Sequence, residues 1–510
     1  MRFIFILSLV FFDFAFSRHK ALAQPQVSDE TTIKKNFNPI ALANEVENAS
    51  YTNNTKSVNL SLEDCIKLAL KNNPLISKYI FDIKSQNSLF LASKTKWYPT
   101  ISIEGQPFIS QQYSTAKSNL NADSIVRQKS SSSSNVSETS YNVYDVFTLD
   151  QYIDIEATLT WKILDFTRTP AIKSNWESIK KQQNLLKLAA RKLIADVSIS
   201  YVKVQASQKK IEELKPLISA TIASEKAISK QLDIGYSDIG QVAQSQTQVL
   251  NLINDLILFK KMRDEYSADL TSLVGGYGEF MIYPSTQISE PTPFYFDLSD
   301  AINLSETNNE LSRAYIHAAN SLMWDSVALR NQYIPKLFLY LNWYYENYDG
   351  IINAPSSSNP SIMSNSFRQV DTGYTTGIGF SWNFDGGYKW FRSDSEKFSS
   401  SSMKEQAKSA KIDFISKTRQ NYIALNSAFQ SISTTKKAVD SSSINLKVLD
   451  IRSQYGLDDV TTKVQAFNLY NESLQNWVDA LKSANIAKIN LFRYTSTLPS
   501  WIDLDRLLFK

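Results

Sequence analysis

The sequence predicts an α+β fold built from two tandem copies of one helix, strand, strand, helix unit. Residues 62–99 align with residues 298–335 without a gap. Each copy also contains short segments in which apolar residues alternate, and a long stretch of helical periodicity follows each pair of segments. A repeat of this kind has to be recognised first, because overlooking it misassigns the whole fold.

The two copies share 12 identical residues among the 38 aligned positions. Beyond this block the offset between the copies falls from 236 to 221, and pairs such as Gly235 with Gly456 continue the match. The offset changes because the first copy has the longer loop, residues 110–145, against 347–371 in the second. Variable length and a serine-rich composition predict that both loops are exposed.

The repeats divide the chain into six segments. Residues 1–23 predict a signal peptide, because Arg2 precedes an apolar run of about ten residues and a small-residue cleavage site ends at Ala23. An uncleaved N-terminal anchor is the alternative. The other segments are a polar N-terminal segment (24–58), repeat 1 (59–274), an inter-repeat linker (275–294), repeat 2 (295–497) and a C-terminal tail (498–510).

Composition argues against nucleic-acid binding, metal binding and catalysis. Removing the leader takes three basic and one acidic residue from the 54 and 50 of the whole chain, which leaves 51 and 49 and no basic surplus for nucleic acid. Cys65 is the only cysteine, and His317 is the only histidine outside the leader. We interpret Cys65 as a small buried residue and His317 as a helix-surface residue rather than a ligand. Adjacent carboxylates such as Glu212 and Glu213 lie in helical patterns, so we expect no enzyme and no cofactor.

Four segments with period-two alternation are predicted to be β-strands. In 374–384 large residues alternate with small or polar ones, and 153–163 follows the same pattern. No stretch after the leader reaches 18 consecutive apolar residues, so a membrane crossing would require a closed barrel. A sheet packed on a soluble core alternates in the same way and is the alternative. Segments of about ten residues with aromatic ends and a polar second face favour the membrane.

Four strands are too few for a barrel, since the smallest membrane barrels have about eight. The chain must therefore combine its strands with those of other copies. The residues predicted to face lipid are Ile101, Ile103, Ile155, Leu159, Trp161, Leu337, Leu339, Leu341, Trp343, Ile378, Phe380 and Trp382.

Long helices are predicted after each strand pair. From Pro170 to Leu232 no glycine interrupts the chain, and about 60 residues at a rise of about 1.5 Å give a helix near 90 Å long. Apolar residues recur at spacings of seven and four, as in a coiled-coil seam. Each long helix ends at a single glycine, Gly235 or Gly456, which predicts a left-handed cap that reverses the chain.

These features together resemble the TolC-type outer-membrane efflux protein family over nearly the whole chain after the leader. The resemblance is carried by the opening of each copy, by Pro99 and Pro335 between helix and strand, by 382–387, and by the glycine turns. It implies a homotrimer with a 12-stranded barrel in the outer membrane and a long periplasmic helical tunnel. It also implies that the turns dock on a periplasmic adaptor coupled to an inner-membrane transporter. The implied docking residues are Ile234, Gly235, Tyr236, Tyr455, Gly456 and Leu457.

The candidate periplasmic gate departs from the family pattern. Where the resemblance implies a ring of aspartates after the second turn, this chain has Thr462 and Gln465, while Asp458 and Asp459 lie nearer the turn. We therefore do not transfer a cation-blocked gate to this chain.

The expected function is that of a passive conduit, in a tripartite efflux pump or a type I secretion system. We expect the chain in the outer membrane of a Gram-negative-type cell, with a periplasmic helical extension. The alternative is a periplasmic coiled-coil scaffold or adaptor without a pore. Drugs, metal ions and polypeptides use the same kind of duct, so the residues identify no particular cargo.

Overall fold

The computed structural model describes residues 38–48, 56–105, 109–118, 144–276, 280–356, 359–454, 460–495 and 497. The predicted signal peptide and the C-terminal tail from residue 498 lie outside the described residues, as does most of the serine-rich loop of the first copy. In the part described, the chain is mostly helical with some strands. No helix there is long and apolar enough to cross a membrane.

The helices and strands follow one another along the chain in two similar series. The helices are α1 (Pro39–Asn48), α2 (Leu62–Asn72), α3 (Pro74–Thr95), α4 (Arg168–Asp233), α5 (Ile239–Val274), α6 (Leu298–Thr307), α7 (Glu310–Arg330), α8 (Tyr388–Gln454) and α9 (Val460–Tyr494). The strands are β1 (Lys56–Leu60), β2 (Thr100–Glu104), β3 (Ile109–Ser118), β4 (Tyr144–Leu164), β5 (Phe280–Pro284), β6 (Lys336–Ser356) and β7 (Asn359–Ser381).

The fold divides into two compact units, each assembled from separate stretches of chain. Among the described residues, unit 1 combines 38–48 with 204–265, 431–454 and 460–480. Unit 2 combines the described residues within 56–203, 266–430 and 481–497.

Unit 2 contains an antiparallel sheet in the order β2, β4, β6, β7, with β3 also paired to β4. Because β2 and β3 pair with successive parts of β4, they share one position, and the sheet has the four strand positions that alternation predicts. The strands are longer than the predicted ten residues, since β4 and β6 have 21 each and β7 has 23. Pairing continues past the apolar segments because the backbone ladder does not require apolar side chains.

The core of unit 2 is formed by α2, α3, the first part of α4, the end of α5, and the β1–β5 pair. Cys65 is completely buried in it, as predicted, and burial raises the pKa of its thiol to about 11. His317 is half-buried on α7, and its Nδ1 lies 2.7 Å from Glu177 Oε2 on α4. It therefore joins two helices, which the sequence did not predict.

Unit 1 is held by α1 and the distal parts of α4, α5, α8 and α9. Its apolar core includes Leu214, Leu252 and Phe467, and Ala43 and Val46 of α1 pack against it. Lys260 of α5 donates hydrogen bonds from Nζ to the carbonyls of Val46 and Glu47, at 2.6 and 2.8 Å, and so caps the C-terminus of α1. The sequence predicted only a polar segment here, so α1 is an addition.

The predicted coiled-coil seam of the first copy is buried throughout. Its residues are Leu186, Leu193, Val197, Val204, Ile211 and Ile218. In the second copy Leu425 and Ile432 are buried, whereas Val439 and Leu446 are half-buried. Pro216 lies inside α4 without ending it.

Substitution of Gly275 by alanine is expected to destabilise unit 2 by about 2–3 kcal/mol. Gly275 has φ +88°, and a Cβ at this position would lie 2.9 Å from the carbonyl oxygen of Asn72. The backbone strain and the steric overlap therefore both contribute to the loss of stability. Gly377→Ala is the matched control, because nothing lies within 4 Å of its Cβ position. Thermal unfolding in detergent measures both variants, and equal shifts would contradict the explanation.

Candidate functional sites on the sheet faces and the helix tips

The predicted lipid-facing residues lie on one face of the sheet, here called the apolar face. The register pairs Leu341 with both Leu159 and Thr376, and pairs Leu159 with Ile101. Directly opposed residues in a sheet share a face. By the same register, every other predicted lipid-facing residue lies on this face except Trp382, which is one residue beyond β7.

Large apolar side chains on this face are strongly exposed within the chain. Ile103 is 74% exposed and Phe380 is 76% exposed, and several of their neighbours on the face are also exposed. An extended apolar surface of this kind on a single chain marks a contact with another protein or with lipid.

Aromatic side chains lie at both ends of the apolar face. At the helix end, the indole N–H groups of Trp161 and Trp382 donate to the backbone carbonyls of Trp97 and Tyr333, both at 3.0 Å. This fixes each ring with its polar edge satisfied, as at a membrane–water interface. At the other end are Trp343, Tyr345 and Tyr374.

A row of polar residues marks the limit of the apolar face, beyond the aromatic residues at the end away from the helices. Asp349 of β6 pairs with Arg368 of β7 at 3.4 Å, and Gln151 and Gln111 continue the row across β4 and β3. The apolar face therefore spans about 11 residues of β6, from Leu337 to the row before Asp349. The outer halves of the long strands lie beyond it.

The first helix tip has the reversed turn that its glycine predicts. Gly235 has φ +80°, its N–H donates to Leu232 at 3.0 Å, and Tyr236 N–H donates to Gln231 at 2.8 Å. These two bonds form a Schellman motif. Ile234 and Tyr236 are 68% and 84% exposed, so the tip presents two large side chains to solvent.

The next helix begins at once with a reciprocal cap. Gln241 N–H donates to Asp238 Oδ1 at 2.9 Å, and Asp238 N–H donates to Gln241 Oε1 at 3.4 Å. This is a capping box, which fixes the entry into α5. Local hydrogen bonds therefore fix the backbone conformation on both sides of the tip.

The second tip lies partly outside the described residues. This applies to Tyr455, Gly456, Leu457, Asp458 and Asp459. Thr462 and Gln465 are described, and both are exposed on α9.

Contacts near the second tip add two pairs that the sequence reasoning missed. Lys463 Nζ lies 2.8 Å from Asp450 Oδ1 between α9 and α8, and Thr461 donates to Gln244 of α5 at 3.2 Å. The first pair could have been found, because Asp450 and Lys463 lie six and seven residues from Gly456 in an antiparallel hairpin. The second pair joins residues 217 positions apart and leaves no local signal.

A four-position sheet joined to long helical hairpins defines the class of an outer-membrane channel fold. The model of the outer membrane efflux protein family matches residues 65–276 and 328–497, which is most of the chain. The chain therefore belongs to the outer membrane efflux protein family. It is an outer-membrane channel component for efflux with a periplasmic helical extension, and the predicted family, function and location are confirmed. Channel membership favours transport over catalysis.

Solved structures support the fold at low sequence identity. The Campylobacter jejuni CmeC outer membrane channel is 13% identical with a TM-score of 0.65, and the comparison covers 91% of this chain and 93% of that one. The Vibrio cholerae outer membrane protein VceC is 14% identical with a TM-score of 0.59, and the comparison covers 86% of this chain and 96% of that one. The Neisseria gonorrhoeae MtrE channel, in its open state, is 12% identical with a TM-score of 0.59. The comparison covers 89% of this chain and 96% of that one. No curated protein matches the sequence significantly.

Proposed function

We propose that three copies of this chain close one 12-stranded barrel and continue as a helical tunnel across the periplasm. The observation that carries the proposal is the open sheet, which has four strand positions and an exposed apolar face. An open sheet leaves unpaired backbone groups at β7 and at the β2 edge, which a bilayer does not tolerate. Pairing between the β7 edge of one copy and the β2 edge of the next would satisfy the backbone groups of both edges.

The dimensions of the apolar face support the membrane assignment. Eleven residues at about 3.3 Å each extend about 36 Å along the strand, and a tilt near 45° reduces this to about 25 Å, the height of the apolar band in outer-membrane barrels. A scaffold without a pore would need neither this band nor its aromatic ends.

The two repeats are proposed to contribute equally to the assembly. Repeat 1 (59–274) and repeat 2 (295–497) would each supply one strand pair and one helical hairpin, joined by the linker 275–294. This explains why the helix and strand series repeats in the same order.

The assembly test combines size with conductance. The purified protein is expected to run as a detergent-resistant trimer and to conduct ions in planar bilayers. Cys65 is buried with a raised thiol pKa, so it resists labelling, and cysteines introduced at the β2 and β7 edges report on the contact between copies. A monomer without conductance would refute the proposal.

The helix tips are proposed to bind a periplasmic adaptor, which in turn engages an inner-membrane transporter. The proposed docking residues are those of the two glycine turns. Binding is proposed to rearrange the hairpins and open the tunnel near Asp458, Asp459, Thr462 and Gln465. The exposed Ile234 and Tyr236 on a fixed turn support a docking role, because exposed apolar side chains on rigid turns are suited to recognition.

Substitution of Gly235 tests the tip. Gly235→Val is expected to reduce efflux strongly, because a β-branched residue at φ +80° strains the backbone by about 1–2 kcal/mol and alters the turn. Gly235→Asn is the matched control, because asparagine tolerates this conformation and the site is sterically open. Accumulation of a fluorescent efflux substrate measures both variants at equal outer-membrane levels. Normal efflux with Gly235→Val would contradict a docking role.

A further inference from the structure

The second face of the sheet carries a series of aromatic rings, four of them on β6. Phe338, Tyr340, Tyr344 and Tyr348 lie at even-numbered positions of this strand, on the side opposite the apolar face. Tyr348 packs against Tyr152 of β4, with ring centroids 4.5 Å apart. We call this side of the sheet the aromatic-acidic face.

Two of the rings lie directly over glycines of β7. A Cβ at Gly379 would come within 2.6 Å of Phe338 Cζ, and a Cβ at Gly373 would come within 2.7 Å of the Tyr344 hydroxyl oxygen. The distal end of each ring therefore extends over a glycine of the neighbouring strand, into space that a larger residue would fill. An aromatic side chain that covers a glycine of the neighbouring strand is a known device for stabilising a sheet.

Carboxylates occupy the same face between the rings, in an arrangement that costs stability. Glu104 lies directly opposite Glu156, and Asp154, Glu346 and Asp371 lie in line across β4, β6 and β7. Like charges that are directly opposed destabilise a sheet. Asn342 and Thr158 donate hydrogen bonds to Glu156 Oε1, at 2.6 and 3.3 Å, but no Lys or Arg of the described chain forms an ion pair with any of the five carboxylates.

Aromatic faces and carboxylates together form the surface that attracts organic cations. A ring face attracts a cation through its quadrupole, and a carboxylate attracts it through charge. Mobile cations would also relieve the repulsion between the opposed carboxylates. The two features arise from different residues and support the same class of permeant molecule.

We infer that the aromatic-acidic face makes the barrel a cation-selective exit whose aromatic rings bind passing organic cations. This inference rests on the proposed function, in which this face lines the lumen. It locates selection in the barrel, and Thr462 and Gln465 contribute no charge to the proposed gate.

The charge selection is tested by reversal potentials in planar bilayers across a tenfold KCl gradient. Wild-type channels are expected to prefer K⁺ over Cl⁻ by about fivefold or more, and the triple variant D154N/E156Q/E346Q by less than about twofold. Removal of opposed charges favours folding, so the variant is expected to assemble. D349N is the matched control, because Asp349 lies on β6 like Glu346 but on the opposite side of the sheet, in the polar row beyond the apolar face. A triple variant with the wild-type potential would overturn the inference.

The aromatic contribution is tested by block of the K⁺ current with tetrapentylammonium. Tyr344→Leu is expected to weaken block about two- to fivefold, and Tyr344→Phe, which keeps the ring, to leave it unchanged. Equal block in both variants would overturn the aromatic part. D458N/D459N separates the tip from the barrel, and loss of selectivity in that variant would place selection at the tip instead. An absence of conductance in every variant would refute the proposed function rather than the selectivity.

Discussion

Replacing Leu341 with arginine is expected to abolish assembly of the chain in the outer membrane, whereas the same replacement at Tyr340 is expected to leave it assembled. The two residues are neighbours on β6, but they lie on opposite faces of the sheet. Leu341 pairs with Leu159 and Thr376 near the middle of the apolar face, so an arginine there would be held in hydrocarbon.

The expected size of this effect follows from the position of Leu341 near the middle of the apolar face, which extends from residue 337 to residue 347 of β6. An arginine facing lipid at the midplane of a barrel costs about 2–4 kcal/mol. Three copies in one trimer would raise the cost to about 6–12 kcal/mol, which is comparable to the whole stability of a folded protein. Tyr340→Arg would place its charge in the lumen of the proposed barrel, where substitutions change selectivity and leave stability largely intact.

The measurement is the amount of detergent-resistant trimer in the membrane fraction, resolved by electrophoresis with and without heating. Leu341→Arg is expected to give no trimer, and Tyr340→Arg is expected to give wild-type amounts. Loss of both trimers would show a general intolerance of arginine in β6. Survival of both would contradict the assignment of the apolar face to lipid.

Residue patterns predicted the sheet faces well because alternation is a local signal. Leu337, Leu339 and Leu341 follow one another at a spacing of two, and that spacing alone assigns them to one face. The turn at Gly235 was predictable for a similar reason, since a lone glycine after a long helical pattern indicates a left-handed cap. Both features lie within a few residues of chain.

Features that depend on distant partners were not predictable. The parallel pairing of β1 with β5 joins Val58 to Ile282, and nothing in either short segment indicates the other. Helix α1 has only ten residues, and isolated helices of that length are marginal. It is stabilised by Lys260, which lies more than 200 residues away along the chain.

A second large effect is expected from the ion pair between Arg191 of α4 and Glu310 of α7. Arg191 Nε donates to Glu310 Oε1 at 2.6 Å, and the two side chains are 15% and 5% exposed. Breaking a buried pair by removing one partner typically costs about 3–5 kcal/mol, because the remaining charge stays buried. Glu310 begins α7, whose N-terminal dipole favours a negative charge, so we expect the lower end of this range.

Arg191→Met is therefore expected to destabilise the protein by about 3 kcal/mol, and the double variant R191M/E310L to recover most of that loss. The recovery follows because apolar residues of similar volume can replace a buried pair with little cost once both charges are gone. Guanidinium unfolding in detergent of the wild type, both single variants and the double variant gives the coupling energy between the two residues. Additive losses in the double variant would show that the pair acts through packing and that the buried charge is not the cause.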